Sequence, residues 1–179
     1  MNFKKGFTLI ELLVVVAIVG ILSSVVLSSL NSARVKSRDS ARISQLRQIK
    51  YALELYYNIN GKYPTCLHTG TGCVTVLENT AGVIKNIPKD PKSGLAYTYA
   101  ARGSGTNCSS YHLGASLEDK TNKALLIGAD ATPVAVCTGS AAGFSGLSYA
   151  VGGQQCNATA GTAQPTAAAN GETCYDLIP

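Results

Sequence analysis

The sequence has no tryptophan, one methionine and two histidines, and only 14% of its residues carry charge. Each scarcity removes a class of function. Structural zinc sites draw four Cys or His ligands from two paired half-sites. The stretch Cys66-Leu67-His68-Thr69-Gly70-Thr71-Gly72-Cys73 offers one half of that pattern, and no second half follows. The other histidine, His112, sits beside Tyr111 in a strand-like stretch, where a structural role is expected. No Ser/His/Asp set, close pair of carboxylates or dinucleotide fingerprint can be read. The glycines around residue 70 lack the lysine and the strand-to-helix setting of a phosphate loop. Neither an enzyme nor a cofactor is expected.

Charge is also sparse in a particular place. Between residues 34 and 50 six basic side chains face Asp39 alone, whereas residues 51–179 carry seven basic and eight acidic ones. The net charge of +5 therefore belongs to one short stem, and the remainder is close to neutral. A neutral domain without tryptophan gives no footprint for nucleic acid, so direct DNA binding by the stem's cations is not expected.

Proline does not occur before Pro64, nor cysteine before Cys66. What fills that space is an apolar run over residues 7–30 broken by one charge, Glu11. About 20 apolar residues at 1.5 Å each cross a hydrocarbon layer ~30 Å thick, so the run is long enough to span. It is also longer than the apolar core of about 7–15 residues in a cleaved secretory signal. An acidic side chain near the middle of a spanning helix costs roughly 2.5–3.5 kcal/mol on insertion scales. Glu11 therefore needs a partner, or lies close enough to the interface to be solvated or protonated.

The helical signal continues beyond the apolar run. Ile43, Leu46, Ile49, Leu53 and Tyr56 recur at spacings of three and four, the mark of an amphipathic helix. Asn60-Gly61 is suited to a left-handed cap and Pro64 prevents resumption.

The string from Lys4 to Ile18, K-K-G-F-T-L-I-E-L-L-V-V-V-A-I, resembles the leader of type IV prepilins and type II secretion pseudopilins. The resemblance implies cleavage after Gly6 by a membrane peptidase, methylation of the new N-terminal Phe7 by the same enzyme, and Glu11 as the assembly carboxylate. Glu11 would then pair with the α-amine of Phe7 on a neighbouring subunit. Residues 61–65 (G-K-Y-P-T) and 87–91 (I-P-K-D-P) resemble stretches of major pseudopilins, extending the likeness to roughly residue 100. The family's C-terminal calcium loop has no matching acidic cluster, since Asp119, Asp130 and Asp176 are scattered, so no metal is expected.

The organisation expected is a leader over residues 1–6, a transmembrane and assembly helix over 7–30, an amphipathic stem over 31–60 and a globular head over 61–179. The fold class is α+β and pilin-like. A long N-terminal helix has a protruding hydrophobic half and an amphipathic half packed on a small antiparallel sheet, with a disulfide-closed C-terminal loop. Three strands are expected at residues 96–101, 111–116 and 123–127, with residues 66–85 as a loop.

Cys66, Cys73, Cys108, Cys137, Cys156 and Cys174 all follow the apolar run. An even number beyond an export-type N-terminus reads as disulfides formed outside the cytosol. Of fifteen possible connectivities, neighbours pairing as 66–73, 108–137 and 156–174 is taken, against free thiols or a metal site. Counting basic flanks alone would leave the stem in the cytoplasm; the leader and the cysteines place it outside, and that placement is adopted.

The function expected is a pilin, the structural subunit of a type IV pilus-like filament. Its partners are copies of itself in a helical filament, the prepilin peptidase and methyltransferase, the inner-membrane assembly platform with other pilins, and the membrane before assembly. Its location is the inner membrane as a single-pass precursor with the head extracytoplasmic, then a surface pilus or periplasmic pseudopilus. The rival is the major pseudopilin of a type II secretion system, and a third reading is an anchored soluble binding domain.

Overall fold

The computed structural model describes residues 7–68, 73, 75–78, 80, 82–127, 136–138, 140 and 174–179. One helix, α1 (Leu9–Asn60), dominates the order of elements. It persists because no proline interrupts it and Gly20 is its sole glycine. It stops where the sequence expects: Gly61 takes φ 67°, and its amide donates to the Tyr57 carbonyl at 2.8 Å. An L side chain disfavours that left-handed conformation, which glycine adopts freely.

The chain divides within α1 into two compact units, Met1–Ser37 and Arg38–Pro179. In the first, the described apolar side chains from Phe7 to Leu30 are exposed to a degree that water does not tolerate in a finished assembly. The helix is long and apolar enough to cross a membrane by length and composition.

The second unit has a core of its own. Leu46, Ile49, Ala52, Leu53 and Tyr56 of α1 are buried against a three-stranded antiparallel sheet of order β1-β2-β3. The strands are β1 (Thr98–Ser104), β2 (Asn107–Ser116) and β3 (Cys174–Leu177). Register pairs Tyr99 with Leu113, Ala101 with Tyr111 and Ala115 with Tyr175, so one face carries these apolar side chains to the helix. The other carries Ala100, His112, Cys174 and Asp176, all buried.

The expectations about strands need correction, the second strand beginning four residues earlier than expected, at Asn107. Residues 123–127 form a short 3-10 helix, Lys123–Ile127, rather than a strand. The Asn122 side chain and carbonyl accept from the amides of Ala124 and Leu125, which starts a helical turn, and the run Ala-Leu-Leu-Ile is too short for periodicity to tell strand from helix. The third strand comes instead from Cys174–Leu177. The first strand also begins two residues later than expected and ends three later, at the turn around Gly103 and Gly105.

The loop after α1 is tied by Cys66–Cys73 and by an isolated bridge from Cys66 to Val76. Cys108 on β2 is joined to Cys137, which places Val136 and Cys137 along the outer edge of β1, where Val136 bridges Arg102 and Cys137 N donates to Ala101 O at 3.0 Å. Cys174 is disulfide-bonded. Cys156, expected as its mate, lies outside the described residues, as does the loop expected after Thr138 apart from Ser140.

Candidate assembly site

The first turn of α1 is a reciprocal cap. Thr8, the residue before the helix, donates its amide to Glu11 Oε2 at 2.9 Å and its hydroxyl to the same oxygen at 2.7 Å. In return Glu11 N donates to Thr8 Oγ1 at 3.3 Å. The spacing Thr-x-x-Glu is a capping box, which satisfies amides that the start of a helix leaves without intrahelical partners. Glu11 therefore sits in the first turn, where the helix dipole favours negative charge, and not deep in the span as counting along the apolar run implies. Only one of its oxygens is engaged by Thr8. Among the described residues Oε1 accepts nothing, so the carboxylate can take a further donor without breaking its cap.

Phe7 is described and is 78% exposed; Gly6 lies outside the described residues. Thr8 is the participant that the sequence reading passed over, although the box was visible as Thr8-Leu9-Ile10-Glu11.

A second polar cluster, also passed over, pins the head to its own helix. Arg42, 3% exposed at its side chain, donates from Nε to Asp90 at 2.5 Å and from Nη1 to Asp39 at 2.7 Å and Glu118 at 2.8 Å. Arg38 grips Glu118 with two bonds of 2.7 Å, and Lys92 adds a third cation at 3.0 Å. Asp39 is fully buried and accepts the amides of Glu118 and Asp119 at 2.9 and 2.8 Å. Asp90 meanwhile accepts the amides of Lys92 and Ser93, folding residues 90–95 into a tight loop.

Burial works against the charges of Arg42 and Asp90, but their mutual hydrogen bonds outweigh it, holding Asp90 well below the carboxylate range and Arg42 above its usual value. Hydrogen bonds from the Arg38 guanidinium, then from the Arg42 guanidinium and the Lys92 ammonium, pull Glu118 down to about 2 against the opposing effect of burial. Both motif stretches that resemble pseudopilins thus acquire a physical role. Asp90 ties its loop to Arg42, and Tyr63 donates from its hydroxyl to Glu54 at 3.1 Å. Burial and the Glu54 carboxylate raise the Tyr63 pKa above its ordinary value.

A cleft of about 700 Å³ opens beside this cluster, yet the acidic groups lining it, Asp90 and Glu118, are spent on Arg42. Nothing in that lining resembles a reaction centre.

Residues 1–27 match the family model described as the prokaryotic N-terminal methylation motif. The type II secretion system core protein G of Vibrio cholerae is 34% identical over 122 residues, which covers 64% of this chain and 83% of that relative. The chain belongs to the type IV pilin and type II secretion pseudopilin family. Another pseudopilin of this kind, core protein G of Pseudomonas aeruginosa, is 32% identical over 63% of this chain and 84% of its own length. The Escherichia coli core protein G is 32% identical over 49% of this chain and 66% of the relative. No solved structure matches the chain. The long helix, the small antiparallel sheet and the cross-linked head are those of a pilin-like α+β subunit.

Proposed function

We propose that this chain is a structural subunit of a type II secretion pseudopilus or a closely similar filament. On this reading it is cut after Gly6, methylated on Phe7, held in the inner membrane by residues 7–30 with its head outside, and polymerised through α1 by an assembly platform. The observation that carries the reading is the exposed apolar face of α1 behind a leader of the methylation-motif type, in a chain that aligns with 83% of a core protein G. An unpartnered apolar helix on a folded head must be covered, first by lipid and then by other copies of itself.

Glu11 supplies register. Its open Oε1 accepts the α-amine of Phe7 from the next subunit while Thr8 holds Oε2. The pair forms where lipid and packed helices exclude water, so an uncompensated Glu11 is disfavoured.

A surface pilus remains the second reading, favoured by the part of this chain, about a third, that the Vibrio cholerae relative does not match, and by Cys174 being a further cross-linked cysteine. Electron microscopy with and without the chain separates a short periplasmic fibre from a surface one. The mature mass tests the shared reading: loss of residues 1–6 plus one methyl group is expected. Filaments formed in normal numbers by Glu11→Ala would remove the proposed ion pair.

A further inference from the structure

Within the second unit, α1 buries Leu46, Ile49, Leu53 and Tyr56, but the opposite face is only partly polar: beside Gln48 and Asn58 it exposes large apolar side chains. Tyr51, Leu55 and Ile59 are 75%, 42% and 59% exposed. Intervals of four set them along one ridge of the helix surface, the kind of row that packs into the groove of another helix. On the same face about two and three turns before Tyr51 stand Ser44 and Ser40, both exposed and both small. At 100° per residue Ser40, Ser44, Tyr51 and Leu55 fall within an arc of about 60°. A single face of the helix thus presents a ridge and, ahead of it, a shallow surface that can receive one.

The ridge is pre-organised. Its backing residues are buried, and the Glu54 carboxylate next to it is held by the hydroxyls of Tyr63 and Tyr111 at 3.1 and 3.3 Å. Three side chains nevertheless cover far less than the roughly 800 Å² per partner of a stable pair. The patch therefore serves as an addition to a larger contact on the same element. That contact is the exposed apolar part of α1, which the filament reading already assigns to other copies.

We propose that the ridge Tyr51, Leu55, Ile59 of one subunit seats on the Ser40 and Ser44 surface of a second copy of this chain, giving the stem its own assembly contact beside that of the membrane segment. The contact is heterologous: the ridge of one copy meets a different surface of the next, so it repeats along a filament without closing into a dimer. Ridge and receiving surface are centred about 13 residues apart, which sets neighbouring helices about 20 Å out of step along their axes. This inference rests on the filament reading given above.

The test uses the full chain assembled in cells. With Ser40→Cys and Leu55→Cys in the same chain, mild oxidation of filaments should give a ladder of covalent multimers that neither single variant gives. Dimers from Leu55→Cys alone, a covalent product with a different protein in place of the ladder, or intact filaments with no ladder each overturn the proposal. The triple variant Tyr51→Ser, Leu55→Ser, Ile59→Ser should lower filament yield by about tenfold or more, the change that 1.4 kcal/mol of lost contact gives. The amount of subunit in the membrane and the unfolding midpoint of the head should stay unchanged. Full filament yield from the triple variant overturns the ridge while leaving the filament reading intact. Failure of the unsubstituted chain to form filaments overturns that reading, and the ridge contact with it.

Discussion

Thr8 and Arg42 show how single side chains govern the start of α1 and the docking of the head on its second half. Thr8 spends an amide and a hydroxyl on one oxygen of Glu11, so it fixes the carboxylate before any neighbour arrives. Thr8→Val keeps the shape and removes the hydroxyl; the expected loss is about 1 kcal/mol of local helix stability, read as several-fold faster amide exchange at residues 9–12 in detergent. Arg42 is surrounded by three carboxylates, and removing one member of a buried ionic cluster leaves charges without compensation. Arg42→Met should destabilise the head by about 3 kcal/mol in urea unfolding, and a loss under 1 kcal/mol would show that the cluster is idle. The same residues set an acid limit. Glu118 is drawn to about 2 from 4.5, and Asp90 is lowered from 3.8. Depressed carboxylates stabilise the folded state fully above their unfolded values, and that contribution disappears as pH falls through their folded ones. Thermal midpoints should be flat from pH 8 to 5, drop between about pH 4.5 and 2, and drop less steeply in Arg42→Met.

At the level of elements, legibility followed the strength of local signals. The long helix and its stop were readable because the apolar run, the 3.6-residue stripe and Asn60-Gly61 are all local in sequence. The hairpin β1–β2 was readable from alternation and from glycine between its strands. β3 was not, because Cys-Tyr-Asp-Leu is four residues long and follows a small-residue stretch; what makes it a strand is pairing with Leu113–Ser116, some sixty positions earlier. The charged cluster escaped for the same reason, since Asp39, Asp90 and Glu118 meet only in the fold. Thr8 was legible as part of a capping box but was overshadowed by the apolar run around it. The hairpin also gives a sharp test. Gly103 has φ 153°, and a Cβ placed there would lie 2.0 Å from the Asn107 carbonyl oxygen. Gly103→Ala should cost more than about 1 kcal/mol by urea unfolding, and a neutral outcome would contradict the register shift between Arg102 and Ser104.

For the whole molecule, covalent links stand in where the core is modest. Cys108–Cys137 closes a separation of 29 residues and Cys66–Cys73 one of seven. Cross-links act largely by restricting the unfolded chain, and more so for longer loops. Replacing Cys108 and Cys137 together by Ala should cost about 2–4 kcal/mol in denaturant unfolding and exceed the cost of the same change at Cys66 and Cys73. On the proposed reading, with the head outside the inner membrane, the placement of β3 sets an order of events during export. A head that crosses in chain order behind membrane-held residues 7–30 can lay down the stem of α1, close the hairpin and form both of these cross-links while residues 174–177 are still in transit. Only when that last strand emerges does Tyr175 cover the sheet and Asp176 reach His112. On that reading the sheet is the last part of the head to close, and a subunit stalled before residues 174–177 emerge carries an open edge on β2.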